Sequence, residues 1–362
     1  MRILFSSSPA FGHLLPMLPL AAAARRAGHE TAVLTHPSLA GADPALPLLP
    51  AGPSQAELLA DITRRTGVDA LQDPAVGAVE FFIGSRMRLG AADAVAAARQ
   101  FAPDLIVAEL VDYLGQFAAA VLGVPWVSHG ATLPLVPPLA EQFAHHAALR
   151  FAEHGATPTP ALAYVDPWPD SLVRPTDHYP YERLPVRPDP HIGDGAPWSP
   201  PAFPGREDRP TVLITLGTVH DDPAILRAVV DDVAALDVNV IAGGAAGTAR
   251  ENVAEVGFVP MRDLLDASDL VVSAAGAGTM ISTLGAGLPS VLLPLGLDKP
   301  VNAERAAATG AALVATAPGE IGALAGKVLS DPSYAGAARA VAAEIAAMPA
   351  PEAVLDQLLA RV

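Results

Sequence analysis

LVVSAAGAGTMISTLGAGLPSVLLPLGL, the sequence of residues 270–297, is an apolar stretch without a charged side chain. It is long enough to span a bilayer. Its glycines and prolines, however, divide it into a strand over 270–273, a turn, a helix over 280–286, a second turn and a strand over 290–293. Apolar strands that alternate with helices are typical of a parallel sheet covered on both faces. The segment therefore predicts a βαβ unit of an α/β protein and not a membrane span.

The turn inside this unit has the composition of a phosphate-binding loop. Its glycines allow the backbone to approach a ligand closely, and the free amides and positive dipole of the following helix favour an anion. A glycine turn that serves only close packing of the helix on the sheet has the same local pattern. The candidate contacts of a diphosphate in this turn are Ala274, Ala275, Gly276, Ala277, Gly278 and Thr279, and the local pattern alone does not decide between the two interpretations.

Two further segments place polar groups at the same edge of the sheet. Asp298 follows the second strand, where its carboxylate suits either the hydroxyls of a sugar or the cap of a helix over 301–309. Gly217 and Thr218 follow a strand over 212–215 and offer a second glycine turn with a hydroxyl for a phosphate. The alternative for this second turn is an ordinary connection between a strand and a helix.

The same alternation of strands and helices lies on both sides of a proline-rich region. Prolines are dense from Pro158 to Pro210, where a packed helix or a central strand would not tolerate them. The predicted strands cover 3–7, 31–34, 105–108 and 126–128 before this region, and 212–215, 238–242, 253–259, 270–273 and 290–293 after it. We therefore predict two doubly wound domains, 1–205 and 206–348, and a C-terminal helix within 349–362 that crosses back to the first domain.

His13 is the candidate general base. It lies in a predicted loop before a helix that ends near Arg26, and the positive end of that helix disfavours an imidazolium. Glu109 ends a predicted strand and is the candidate carboxylate that orients the imidazole and stabilises its charged form. Asp112 is the rival partner, and either carboxylate could instead stabilise the start of a helix over 116–122. For His13 itself, a plain loop residue or helix cap is the alternative.

Composition excludes several functional classes. The chain has 22 basic and 38 acidic residues, a formal net charge of −16, so nucleic acid and anionic membranes are not expected partners. It has no cysteine, which excludes disulfides and thiolate chemistry. The opening residues do not have the pattern of a signal peptide, and we therefore predict a cytoplasmic protein. Without an Asp-x-Asp pair or clustered metal ligands, we expect no metal and no cofactor.

Taken together, these motifs resemble the GT-B glycosyltransferases that decorate natural products in actinobacteria, a family that includes macrolide and plant secondary-metabolite transferases. The resemblance runs over almost the whole chain. It rests on Gly12-His13-x-x-Pro16, Pro19-Leu20-Ala21, Arg26-Ala27-Gly28-His29, Leu216-Gly217-Thr218, Gly257-Phe258-Val259-Pro260, Gly276-x-Gly278-Thr279, Gly287-x-Pro289, Asp298 and Asn302-Ala303-x-Arg305. The family fold is α/β, with two Rossmann-like doubly wound parallel-sheet domains that face each other across a cleft.

The resemblance also implies an activity, the inverting and metal-independent transfer of a sugar from a nucleotide diphosphate to a hydroxyl of a small molecule. In the family, the histidine at the His13 position is the catalytic base, and Glu109 matches its acidic partner. Phe258 and Val259 would lie beside the nucleobase, and Asp298 would contact the sugar. The diphosphate would be held by the 274–279 turn and by Gly217 and Thr218.

Four positions depart from the family pattern. Ala274 stands where a phosphate-binding histidine is usual, and Ala275 stands where the first of the glycines is usual. Lys299 and Met261 replace glutamines. Ser273, His220 and Lys299 are the candidates that could supply the missing phosphate contact. Because Lys299 replaces a residue that would bond sugar hydroxyls, we expect a thymidine diphosphate deoxysugar as donor, with a UDP-sugar as the alternative.

The expected acceptor is a hydrophobic, polyketide-like aglycone. Its candidate contacts are Phe81, Phe82, Trp126, Leu133 and Phe143, all of which could equally be core residues. A homodimer is left open. The alternative functions are a GT-B transferase or epimerase of cell-wall sugar metabolism and a catalytically silent sugar-nucleotide-binding protein. A dinucleotide oxidoreductase is disfavoured, because the first turn lacks the Gly-x-Gly-x-x-Gly pattern.

Overall fold

The computed structural model describes residues 1–70, 72–189, 198–217, 222–248 and 250–362. The chain divides into two compact units. The first consists of Met1–Pro167, Pro175–Arg187 and Pro349–Val362, and the second of Trp168–Arg174 and Pro188–Met348. The division therefore differs from the predicted domain bounds, since Trp168–Arg174 and residues 188–205 belong to the second unit. The C-terminal segment belongs to the first unit.

The first unit is built on a seven-stranded sheet in which all pairings are parallel. Its strands are β1 (Arg2–Ser6), β2 (Glu30–Thr35), β3 (Leu48–Pro50), β4 (Leu105–Glu109), β5 (Trp126–His129), β6 (Tyr164–Asp166) and β7 (Arg183–Pro185). Their order across the sheet is β3-β2-β1-β4-β5-β6-β7. Because β1 and β4 are neighbours in the middle of the sheet, the segments that follow them meet at the carboxyl edge.

The second unit has a six-stranded parallel sheet. Its strands are β8 (Thr211–Thr215), β9 (Asn239–Gly243), β10 (Val253–Val256), β11 (Leu270–Ser273), β12 (Ser290–Leu292) and β13 (Ala312–Val314). Their order is β10-β9-β8-β11-β12-β13. The strands β11 and β12 are the two that the apolar 270–297 segment predicts, and the order reverses between β8 and β11, where ligands of open α/β sheets bind.

Helices cover the faces of both sheets. In chain order they are α1 (Phe11–Leu14), α2 (Leu18–Arg26), α3 (Gln55–Thr66), α4 (Pro74–Val79), α5 (Ser85–Phe101), α6 (Tyr113–Leu122), α7 (Pro137–Glu153), α8 (Pro223–Val233), α9 (Met261–Asp266), α10 (Ala277–Gly285), α11 (Lys299–Ala308), α12 (Ile321–Ser330), α13 (Pro332–Ala347) and α14 (Pro351–Leu359). Among the described residues, no helix combines the length and the apolar character that a membrane crossing needs.

The proline-rich region contains structure that the sequence did not predict. β6 and β7 lie in it, each three residues long, and β7 forms one edge of its sheet. An edge strand tolerates Pro185, because one side of the strand needs no ladder hydrogen bond. β6, in contrast, contains no proline and pairs with β5 on one side and β7 on the other, so the prediction that this region contains no strand inside a sheet is wrong.

The C-terminal helix α14 completes the core of the first unit. Val354, Leu355 and Leu358 are buried in the same apolar cluster as residues of β1 and α2. Arg361 adds hydrogen bonds from its guanidinium to Glu182, at 2.8 and 2.9 Å. Burial of three large aliphatic side chains contributes on the order of 1.5–3 kcal/mol for each of them. The last residues of the chain are thus part of the fold of the first unit.

Candidate active site

His13 lies on α1, a single helical turn, and not in the predicted loop. The turn begins after Ala10, whose backbone is extended, and the His13 amide donates to the Ala10 carbonyl at 3.1 Å. Pro16 lacks an amide hydrogen but is tolerated here, because it falls in the first turn of the short 3-10 helix that follows α1. The side chain of His13 is 23% exposed, so its imidazole remains open to a ligand.

Glu109 is the residue that pairs with His13. It is the last residue of β4, its side chain is fully buried, and its Oε2 atom lies 3.0 Å from His13 Nδ1. Oε1 accepts a hydrogen bond from the Val111 amide at 3.1 Å. The Ser8 hydroxyl donates to Oε2 at 3.3 Å. A carboxylate facing Nδ1 favours the tautomer that carries its proton on Nδ1, and this leaves the lone pair of Nε2 for a substrate proton.

Asp112, the rival partner, has a different role. It is the N-cap of α6, where its Oδ2 accepts from the Gly115 amide at 3.3 Å. Its Oδ1 accepts from Arg86 Nε at 3.1 Å, and the Ser6 hydroxyl donates to its other oxygen. Both oxygens are therefore engaged by the helix cap and by a buried ion pair. Of the two predicted carboxylates, the structure brings Glu109 and not Asp112 to His13.

Two of the five predicted acceptor residues lie beside this pair. Phe82 is half-buried, and its ring centroid is 5.4 Å from that of His13. Phe81 packs edge-on against Phe82, with centroids 5.0 Å apart. Both lie on a π-helical turn, Glu80–Gly84, between α4 and α5. Such turns are frequent at functional sites, because one extra residue reorients the neighbouring side chains.

The other three predicted acceptor residues are buried. Trp126 lies in β5, where its indole N–H donates to the Thr159 carbonyl at 3.0 Å. Phe143 on α7 packs behind Phe82, with centroids 6.1 Å apart. Leu133 is also almost completely buried. Trp126, Leu133 and Phe143 are therefore packed inside the protein, whereas Phe81 and Phe82 are half-buried.

His129 is a buried imidazole directly opposite Glu109 in the register of β4 and β5. Its Nδ1 atom lies 2.8 Å from the Gly130 carbonyl oxygen. Burial lowers the pKa of His129 to about 4, although the contact with the Gly130 carbonyl raises it in part. His129 is therefore neutral at neutral pH and differs from His13 in having no route to solvent.

This burial predicts a pH-dependent stability. Because the pKa of folded His129 is about 4, below an unfolded value near 6.5, the unfolded chain binds the extra proton between these values and stability falls as the pH falls through them. Between pH 7 and pH 5 we expect His129 to account for a loss of about 2 kcal/mol. Urea unfolding at both pH values should show this loss in the wild type and a smaller one in His129→Gln. Equal pH dependence of the two proteins would contradict the assignment.

The turn predicted to bind phosphate, called the cradle below, is formed by the end of β11 and the start of α10. Gly276 is the N-cap of α10, so the helix begins three residues earlier than predicted. The first helical hydrogen bond is donated by Met280 to the Gly276 carbonyl, at 2.9 Å. The amides of Ala277, Gly278 and Thr279 consequently lack acceptors within the helix and suit an anion.

Ala275 gives the cradle a strained backbone. Its φ is +60°, in the left-handed region that residues other than glycine rarely adopt. Ala275 and its neighbour Ala274 are both buried, so neither side chain can contact a ligand, and a contribution to binding would come from their backbone. The Asn302 side chain holds the turn by donating to the Ala275 carbonyl at 3.1 Å. Strain maintained by neighbouring contacts is typical of ligand-binding turns.

Asp298 is the N-cap residue of α11, but its side chain does not cap the helix. The carboxylate instead accepts a hydrogen bond from Asn302 Nδ2 at 2.9 Å. Asn302 thus links Asp298 to the cradle, because it also bonds to Ala275. Asp298 is half-buried and follows β12 at the carboxyl edge of the sheet.

The remaining predicted donor residues differ in exposure. Gly217 has a φ of +81° just after β8, a conformation that suits glycine. Thr218 and His220 lie outside the described residues. The strand predicted over 253–259 ends at Val256, and Phe258 beyond it is 85% exposed. Val259 is partly buried against the apolar cluster below β10, so Phe258 has the larger free surface for stacking.

Sequence reasoning missed two contributors to the first-unit site. Ser8 bonds to the same Glu109 oxygen that faces His13, and its position two residues after β1 was the available signal. Arg86, which engages Asp112, gave no signal because it lies on a distant helix. Among the residues that the structure describes, there is no group of three or more metal-ligating side chains.

Comparison with known proteins assigns the chain to a family. Residues 227–361 match the family described as "Erythromycin biosynthesis protein CIII-like, C-terminal domain". The chain is 30% identical to the elloramycin glycosyltransferase ElmGT of Streptomyces olivaceus, over 99% of this chain and 97% of that protein. It is 32% identical to an L-demethylnoviosyl transferase of Streptomyces niveus, over 86% of this chain and 84% of that protein. The chain belongs to the actinobacterial antibiotic glycosyltransferases.

The fold of this glycosyltransferase agrees with that assignment. The crystal structure of the glycosyltransferase SsfS6 of Streptomyces sp. SF2575, complexed with thymidine diphosphate, matches it with a TM-score of 0.84 and 26% identity over 99% of both chains. Two parallel-sheet α/β units, with seven and six strands, form a GT-B fold. The predictions of the fold class, the family and the enzyme class are therefore confirmed.

Proposed function

We propose that this glycosyltransferase transfers a deoxysugar from a thymidine diphosphate donor to a hydroxyl of a hydrophobic aglycone, with inversion and without a metal ion. The observation that carries the proposal is the pairing of His13 Nδ1 with buried Glu109 Oε2 at 3.0 Å. The complex of SsfS6 with thymidine diphosphate supports the choice of nucleotide. The family supports the transfer of a sugar to an aglycone.

His13 acts as the general base in this proposal. Nε2 removes the proton of the acceptor hydroxyl as the oxygen attacks the anomeric carbon, and the bond from that carbon to the diphosphate oxygen breaks. Attack from the face opposite the leaving group gives inversion. Glu109 stabilises the imidazolium that forms, because its carboxylate is fixed by the Val111 amide and the Ser8 hydroxyl.

The cradle assists departure of the diphosphate. The amides of Ala277, Gly278 and Thr279 and the dipole of α10 favour the negative charge that develops on the leaving oxygen. Phe258 is suited to the nucleobase because of its exposed ring, and Asp298 to the sugar hydroxyls. Phe81 and Phe82 offer an apolar surface to the aglycone beside His13.

Nucleotide binding to wild type and Gly278→Asp tests the proposal directly. A Cβ atom at Gly278 has no neighbour within 4 Å, so the variant should fold and place a carboxylate in the cradle. Repulsion of a diphosphate by this carboxylate is expected to weaken thymidine diphosphate binding by roughly a hundredfold. Calorimetric titrations with thymidine and uridine diphosphates, in the presence of chelator, measure both the effect and the nucleotide preference.

A matched control is Gly319→Asp, which adds the same charge at an exposed glycine of the second unit with equally open space. It should bind thymidine diphosphate as the wild type does. Tighter binding of uridine diphosphate would reassign the donor. If the wild type binds neither nucleotide, or only with added metal, the proposal is wrong.

A further inference from the structure

The cradle lacks a positively charged side chain. Residues 273–279 are all uncharged, and the position where the family usually has a histidine is Ala274. A bound diphosphate carries at least two negative charges at neutral pH, whereas the helix dipole supplies only about half a positive charge. An additional cation near the cradle would therefore strengthen binding.

Ser273 does not supply the missing contact. Its hydroxyl accepts a hydrogen bond from the Ala275 amide at 3.3 Å and lies within the turn. The residue is almost completely buried at the end of β11. Its side chain therefore stabilises the backbone of the cradle and is shielded from a ligand.

Lys299 is the candidate for this additional cation. The residue is only 6% exposed, and its ammonium forms no hydrogen bond with any residue that the structure describes. Burial lowers the pKa of Lys299, and the nearby charge of Asp298 raises it in part. The Asp298 carboxylate bonds instead to Asn302. A buried and unpaired ammonium is costly, and an anionic ligand would remove that cost.

The position of Lys299 on α11 directs it towards the cradle. Asn302, three residues further along, donates to the Ala275 carbonyl at 3.1 Å, so this face of α11 is turned to the cradle. Residues three apart on a helix share a face, and helical side chains lean towards the N-terminus. The Lys299 side chain is therefore on the face of α11 that meets the loop after β11.

We propose that the Lys299 ammonium binds the diphosphate of the donor and supplies the cation that the cradle sequence lacks. The inference rests on the proposed nucleotide sugar donor. It reassigns Lys299 from the sugar hydroxyls, which a glutamine would contact at this position in the family, to the phosphates. Thymidine diphosphate, which has no sugar beyond its deoxyribose, separates the two assignments.

Titration of thymidine diphosphate into Lys299→Gln, Lys299→Arg and Lys327→Gln tests the assignment. Lys327 is the other lysine of the chain, and it is exposed on α12, so its substitution removes the same charge elsewhere in the second unit. We expect the affinity to fall by about tenfold or more in Lys299→Gln, as for loss of a hydrogen bond to a charged group. Lys299→Arg should retain most of the affinity, and Lys327→Gln should retain all of it.

If Lys299→Gln binds thymidine diphosphate as tightly as the wild type does, the assignment to the phosphates is wrong. If the same variant binds only the complete sugar nucleotide more weakly, Lys299 contacts the sugar instead. A similar loss in Lys327→Gln would show a general charge effect and would also overturn it. Failure of the wild type to bind any nucleotide would instead contradict the proposed donor. Melting curves of the variants guard against misfolding, and Lys299→Arg keeps the test valid if Lys299→Gln does not fold.

Discussion

Replacing His13 by alanine should lower kcat by about a thousandfold, within the range that general base catalysis contributes. The imidazole faces buried Glu109 through Nδ1, and the His13 side chain is partly exposed. Thymidine diphosphate affinity should not change, because the proposed cradle belongs to the second unit. Initial rates with an aglycone that the wild type accepts, together with calorimetry of the nucleotide, measure the two effects separately.

His145→Ala is the matched control, since His145 is exposed on α7 and takes no part in the proposed site. Its kcat should equal that of the wild type. A His13→Ala enzyme that retains more than a tenth of the wild-type kcat would remove the base from the mechanism. Parallel loss of nucleotide affinity would indicate that the substitution disturbs the fold.

The Glu109→Gln variant tests the two effects of Glu109 on His13, which are the orientation of the imidazole and the stabilisation of the imidazolium by the negative charge. The amide oxygen can still accept from Nδ1–H, but the neutral group no longer stabilises the imidazolium, so kcat should fall while the acceptor KM changes little. With its oxygen turned to His13 and Ser8, the glutamine places its NH2 group where Oε1 of Glu109 accepts from the Val111 amide, so that one hydrogen bond is lost in the variant. A fall in kcat for Glu109→Gln similar to that for His13→Ala would support the two residues acting as one unit.

The central strands and the glycine turn could be predicted from sequence, because their signals are local. Apolar runs such as 270–273 have few alternatives to a buried strand, and Gly276 and Gly278 mark the turn that follows. His13 and Glu109 could be found for a related reason. They follow β1 and end β4, which are neighbours in the sheet, so the topology alone brings them to one edge.

The alternatives that the sequence left open depend on contacts between distant residues. The sequence favoured Glu109 as the partner of His13 but left Asp112, three residues later, as a rival, and the bond of Asp112 to Arg86 on α5 distinguishes the two. Likewise, Trp126 and Phe82 are both aromatic residues in apolar surroundings. Only the packing of β5 and the π-helical turn shows that the first is core and the second contacts His13.

Local sequence patterns also failed to indicate the short strands and helices. β7 is three residues long and ends in Pro185, a pattern that reads as loop. α1 is a single turn between Ala10 and Pro16, too short for a hydrophobic period to develop. Burial of Lys299 contradicts the usual exposure of lysine, and the sequence therefore gave no reason to expect its ammonium inside the protein.

Replacing Arg86 by methionine should destabilise the first unit by about 3–5 kcal/mol, because it leaves the buried charge of Asp112 without its partner. Arg86 and Asp112 are both fully buried, and the guanidinium also donates to the Ser7 carbonyl at 3.0 Å. Ser7 adjoins Ser8, which bonds to Glu109, so loss of Arg86 should also loosen the catalytic pair. Denaturant unfolding of the wild type and the variant measures the change in free energy.

Arg88→Met is the control on the same helix. Arg88 is partly exposed and shares Asp61 with Arg64 and Arg65, so the Asp61 carboxylate keeps partners when Arg88 is removed, and the loss should stay below about 1 kcal/mol. Adding Asp112→Asn to Arg86→Met should recover part of the stability, since the buried charge is then gone. If the double variant is no more stable than Arg86→Met, the bond to the Ser7 carbonyl and the packing of the arginine stem, and not the ion pair, account for the effect.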